Sequence, residues 1–140
     1  MARDPIFMLK DFDTWNKLKK AVDVRDQLPY FREREVWWCS LGLNVGHEED
    51  GKHSQYERPV LVLKKFNREI FWALPLSSSG GSNWYYFALH LNRTEVSYVL
   101  LSQLRLISSR RLTRRMYSLD RRQFQAVISA VKFLLDERIN

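Results

Sequence analysis

The sequence predicts a mainly β domain of the α+β class, a small antiparallel barrel with a helix at each end. Three observations predict it. Short apolar runs recur between residues 33 and 111, separated by tight turns. A stripe of helical period precedes them and a second follows them. At 140 residues and 45% hydrophobic, the chain has the size and composition of one globular domain.

The first stripe is Phe12, Trp15, Leu18 and Val22, at spacings of three to four, which predicts a helix over 10–28. Asp11 or Asp13 can cap its start, and Pro29 ends it. The run 33–41 reads as a strand whose Val36, Trp37, Trp38 and Cys39 are apolar on both parities, so both faces are expected to be covered. Residues 47–57 hold no apolar run and read as a mobile loop. A second strand, 59–66, opens on a Val/Leu run. Asn67-Arg68 is short enough for a hairpin into a third strand, 69–76. A Ser/Gly stretch then leads to strands at 84–91 and 95–101, joined through Asn92-Arg93, and 103–111 offers a short sixth. The closing helix, 120–138, carries Phe124, Val127, Ile128, Val131 and Leu135 on one stripe, widened by Phe133 and Leu134, with Ser118 or Asp120 as N-cap. The helix before the strands is expected to pack against them, since Phe12 and Trp15 need burial.

The net charge is +7 and the pI is near 9.8, which favours a polyanionic partner such as nucleic acid. A single cysteine, Cys39, allows no intrachain disulfide and reads as a small buried hydrophobe. The N-terminal apolar run, 5–9, is too short for a signal peptide, and no run nears the ~20 residues of a membrane span. A cytoplasmic chain without membrane contact is therefore expected. His47, His53 and His90 have no companion at metal-ligand spacing. Glu48-Glu49-Asp50 lacks the alternation of a calcium loop. There is no phosphate-binding glycine motif and no nucleophile elbow. Neither metal nor cofactor is expected.

Three polar sites remain at strand ends: the His47/Glu48 pair, Arg58 and Ser77. Counting outward from the Asn67-Arg68 turn brings Arg58 and Ser77 to the same edge of the sheet. A guanidinium beside a hydroxyl suits a phosphodiester, because its fork can bind two phosphate oxygens. Spacing alone leaves open the plainer alternative that Arg58 pairs with Glu48 or Glu57 at the surface. Tyr56, Trp84, Tyr85 and Tyr86 can be core aromatics or stacking platforms for unpaired bases. Arg105, Arg110, Arg111, Arg114 and Arg115 can track a backbone or form a solvated basic face.

Gly46-His47-Glu48-Glu49-x-Gly51, then Arg58-Pro59-Val60-Leu61-Val62-Leu63, Leu74-Pro75-Leu76-Ser77-Ser78 and Gln103-Leu104-Arg105 together resemble the PemK/MazF family, over roughly residues 33 to 138. The members of that family are toxins of type II toxin–antitoxin systems. The resemblance implies an SH3-like barrel, usually a homodimer, that cleaves single-stranded mRNA at short sequences without a metal and is neutralised by a cognate antitoxin. It places the catalytic arginine on Arg58, the catalytic hydroxyl on Ser77 and the loop glutamate on Glu48, with His47 beside it. Ser78, Gln103 and Arg105, within the matching segments, join Tyr56, Trp84, Arg110 and Arg111 as candidate RNA contacts. Ser102 and Ser108 stand where many members carry aspartates, so no role passes to those positions. Residues 52–56 lengthen the loop. Residues 1–32 form a helical extension before the domain of 33–140. Two further readings compete: a non-catalytic toxin of this fold that inhibits a protein target such as gyrase, and an SH3-like module that binds nucleic acid without cutting it.

Overall fold

The computed structural model describes residues 9–136. Among the described residues two helices, α1 (Phe12–Asp23) and α2 (Arg121–Asp136), flank seven strands: β1 (Glu35–Ser40), β2 (Glu57–Lys65), β3 (Ile70–Ser77), β4 (Tyr86–His90), β5 (Val96–Leu100), β6 (Arg105–Ser108) and β7 (Leu112–Ser118). The part of the closing helix expected at 137–138, and the apolar run before residue 9, lie outside the described residues. All pairings are antiparallel, in the order β4-β5-β3-β2-β1-β7, with β6 also on β3. The sheet does not close by hydrogen bonds into the expected barrel. The chain itself spans the gap, running from β6 through a 3₁₀ turn at Ser109–Arg111 into β7. None of the described helices is long and apolar enough to cross a membrane.

β3 is the organising strand. One edge pairs with β2; the other pairs first with β6 over Ile70–Ala73 and then with β5 over Leu76–Ser77. Near the turn the β2–β3 register pairs Lys65 with Phe71 and Lys64 with Trp72. A bulge then shifts it, so that Val62 faces Ala73 and Val60 faces Pro75. Continued by two residues, that register sets Arg58 opposite Ser77, as the hairpin count expects. The count succeeds because two offsets cancel. The turn is centred half a residue late, which offsets the register by one; there the Asn67 side chain accepts from Glu69 and Ile70 N–H, and the bulge restores the difference.

Both faces of the central strands are covered. On one face Val36, Leu61, Leu63, Leu74, Leu76 and Val99 pack under Phe124 and Val127 of α2. On the other, Trp37, Cys39, Val60, Val62, Phe71 and Ala73 enclose Phe31, Ile107 and Leu112. Burial pushes the Cys39 thiol up to about 12, so it stays protonated and inert. Phe31 closes this second core, its ring 5.0 Å from that of Phe71 and its carbonyl accepting from Lys65 Nζ.

Several sequence expectations are corrected, and the two pairs of cap alternatives are resolved. α1 stops at Asp23, well before Pro29, because beyond Val22 the segment 23–27 offers no apolar face to hold it. Only Trp15 and Val22 of its stripe are buried; Phe12 is 46% exposed. Asp11, not Asp13, caps the helix through Thr14 N–H. On α2, Asp120 caps Gln123 N–H, Leu134 packs on the core, and Phe133 and Leu135 face solvent. The seventh strand has no alternating pattern to announce it: it is an edge strand rich in arginine, and two register shifts against β1 break the period of two.

Candidate active site

The site is built where β2 begins, β3 ends and the β1–β2 loop folds over both. Arg58 is only 8% exposed. Its Nε donates to the Asp50 carbonyl at 2.6 Å and Nη1 to the Leu76 carbonyl at 3.2 Å, while Nη2 pairs with Glu49 Oε1 at 2.8 Å. Three of the five guanidinium N–H groups are thus held, and each terminal nitrogen keeps one for a ligand. Burial of the stem and a triple anchor fix the fork in one orientation, which suits it to bind an oxyanion without reorganising.

Arg58, Ser77 and Ser78 line a cavity of about 220 Å³ together with Lys52, His53, Glu57 and Ser97, over a floor of Trp38, Pro59 and Leu76. The Ser77 hydroxyl lies 3.4 Å from that of Ser79 and accepts from Ser79 N–H at 3.3 Å. Glu57 is engaged elsewhere, with Thr113 Oγ1 at 2.7 Å and Arg114 at 3.2 Å, which leaves Lys52 and Arg58 as the cations of this cavity. The neighbouring Tyr86 phenol is pushed up first by burial and then by the Glu49 carboxylate, so it is a hydrogen-bond donor at neutral pH.

The structure separates residues that the sequence places together. Arg58 pairs with Glu49, not with Glu48 or Glu57. Glu48 is exposed, accepts from Val45 N–H at 3.0 Å and lines a different cleft with Gln103 and Arg105. His47 is exposed too, and its carbonyl accepts from Gln103 Nε2. The histidine on the Arg58–Ser77 cavity is His53, which the inserted segment carries. That segment is no open loop: Lys52 and Glu57 form a β-bridge, and His53 and Tyr56 adopt left-handed φ values of 66° and 50° between them. The only sequence signal for His53 was its place in the insertion.

The candidate RNA contacts divide likewise. Gln103 clamps the loop, accepting from Glu49 N–H at 3.1 Å while donating to His47. The Tyr56 ring is 5.4 Å from that of Trp15 and faces the N-terminal helix. Arg110 is bonded to the Arg25 backbone, and Arg111 donates to the carbonyls of Ser40 and Leu41, with burial pulling its guanidinium downward. These two arginines line a groove of about 330 Å³ with Lys19 and Lys20. Trp84, 67% exposed, ends an edge-to-face row that runs through Tyr85 to Tyr86.

Comparison with known proteins agrees with this architecture. The family model for the PemK-like, MazF-like toxin of type II toxin–antitoxin systems matches residues 32–135, and the chain belongs to that family. A search of curated proteins finds no match. Among solved structures, MazF (Form-I) from Deinococcus radiodurans shares the fold with a TM-score of 0.60 at 20% identity, over 80% of this chain and 100% of that one. An endoribonuclease from a mycobacterial species, in complex with its cognate antitoxin, gives 0.59 at 13% identity over 79% of this chain and 100% of its own. The Mycobacterium tuberculosis toxin MazF-mt6 gives 0.56 at 18%, over 76% and 100%.

Proposed function

We propose that this protein is a metal-independent, sequence-specific endoribonuclease, the toxin of a type II toxin–antitoxin pair, which cuts single-stranded RNA by attack of the RNA's own 2′-OH. The observation that carries this reading is the convergence of Arg58, Ser77, His53 and Lys52 on one cavity. Membership of the toxin family and the likeness to a mycobacterial endoribonuclease bound to its antitoxin support it. A homodimer and a cognate antitoxin are part of the same proposal.

In this mechanism the phosphate lies against the two remaining N–H groups of Arg58. They stabilise the charge that develops on the non-bridging oxygens as the phosphorane forms. Ser77 donates a further hydrogen bond to one of those oxygens. His53, the imidazole on this cavity, removes the 2′-OH proton. The 2′-oxygen bonds to phosphorus, the bond to the 5′-oxygen breaks, and that oxygen takes a proton from water, which the open cavity admits. Trp84 offers its exposed face for a neighbouring base.

The test is the rate of cleavage of a single-stranded oligoribonucleotide by purified protein in EDTA. Wild type should cut, and His53→Gln should be slower by about 10²-fold in kcat. An absence of cleavage by wild type would return the protein to the class of toxins acting on a protein target. A variant as fast as wild type would take the base role from His53.

A further inference from the structure

We propose that the N-terminal segment is part of the catalytic apparatus, and that Lys10 is the positioning residue that fixes Arg58. The proposal rests on the endoribonuclease reading above for its kinetic consequences, but not for its structural ones. Lys10 lies before α1 and outside the family-matched residues 32–135.

Its ammonium reaches into the β1–β2 loop and uses three acceptors there: Asp50 Oδ2 at 2.8 Å, the Asn44 carbonyl at 2.5 Å and the Gly46 carbonyl at 3.1 Å. An ammonium has three N–H groups, so its capacity is filled. About three-quarters of both the Lys10 and Asp50 side chains is covered, which shields the pair from water more than a surface ion pair. The other Asp50 oxygen accepts from Asn44 N–H at 2.6 Å, and the Asn44 amide donates to the Glu49 carbonyl at 2.8 Å. Both residues that Lys10 stabilises this way then hold the arginine: Asp50 through its carbonyl on Nε, Glu49 through its carboxylate on Nη2. The path from Lys10 to the guanidinium passes through one residue, Asp50.

A second tether makes the arrangement rigid. The Trp15 indole lies against Gly42, where a Cβ would overlap the ring and where φ is +76°. Gly42 N–H donates to the Tyr56 carbonyl, and its own carbonyl accepts from Gly51 N–H at 2.8 Å. The extension therefore grips the loop at both ends, at Gly42 by packing and at Asp50 by charge. Loops that carry catalytic groups need such support to hold geometry within fractions of an ångström.

The test compares Lys10→Met and Lys10→Arg with wild type by two measurements. In kinetics with the oligoribonucleotide, Lys10→Met should lower kcat about 10–100-fold with KM changed less than threefold, and Lys10→Arg should recover most of kcat. In NMR, the Arg58 Nε–H signal should exchange with solvent at least tenfold faster in Lys10→Met than in wild type, whether or not the protein cuts RNA. Unchanged exchange would overturn the positioning role even in an inactive protein. A rise in KM with kcat intact would make Lys10 an RNA contact and also overturn it. If wild type fails to cleave but the exchange difference is present, the positioning holds and the endoribonuclease reading falls.

Discussion

Arg58→Ala is expected to lower RNA cleavage by about a thousandfold or more, at the upper end of what removing one preorganised charge-stabilising donor costs. The expectation follows from the fixed fork. Arg58 is held by the Asp50 and Leu76 carbonyls and the Glu49 carboxylate, so its two remaining N–H groups meet the phosphate already oriented. Arg58→Lys is expected to retain little of this, about 1% of wild-type kcat, because an ammonium is a point charge that cannot satisfy three anchors and also present two donors. Steady-state kinetics on one oligoribonucleotide, with a thermal melt of each variant, checks this. Either variant working at wild-type rate would remove Arg58 from the mechanism. A fall in activity with the melt preserved would locate the effect in chemistry rather than folding.

Glu49→Ala is expected to be the most destabilising single change in the loop, by about 3 kcal/mol. The Arg58 side chain is 9% exposed and its counter-charge is Glu49, itself 22% exposed, so the deletion leaves a nearly buried guanidinium unpaired. Glu48→Ala, one position away, removes an exposed carboxylate that caps Val45 N–H, and should cost about 0.5 kcal/mol. Urea denaturation of the two variants at pH 7 gives the comparison directly. Equal midpoints would mean that the Arg58–Glu49 pair contributes nothing to the fold.

That contrast also shows where sequence reasoning reaches its limit. Periodicity carries information inside regular elements, and there it worked. The Trp15–Val22 stripe, the Val/Leu run of β2 and the Phe124–Val127 face all follow from period, and the β2–β3 count set Arg58 beside Ser77. Loops have no period, so three adjacent acids are interchangeable until the backbone is known. A glycine at positive φ, Gly46, and the Gln103 clamp turn Glu49 toward Arg58 and leave Glu48 facing another cleft. The same holds for the histidines. His47 lies within the family-like loop motif, but the bridge between Lys52 and Glu57 carries His53 to the cavity. Gln103 clamps the loop, and a polar residue in a matching segment has no signature that announces such a clamp. Lys10 was illegible for a plainer reason: its partners lie 34 to 40 residues away, and no local pattern encodes so long a contact. Phe31 is illegible likewise: it stands beside Tyr30 outside any apolar period, yet it closes the second core.

The central claim is that the Arg58–Ser77–His53 cavity cuts RNA through the 2′-OH, and the termini of the products test it most directly. A defined single-stranded oligoribonucleotide would be incubated with the purified protein in EDTA and the fragments analysed by mass spectrometry. The account predicts a 2′,3′-cyclic phosphate, or the 3′-phosphate formed when it opens, on one fragment and a free 5′-OH on the other. A 3′-OH paired with a 5′-phosphate would contradict it, because those ends require water rather than the 2′-oxygen as the nucleophile.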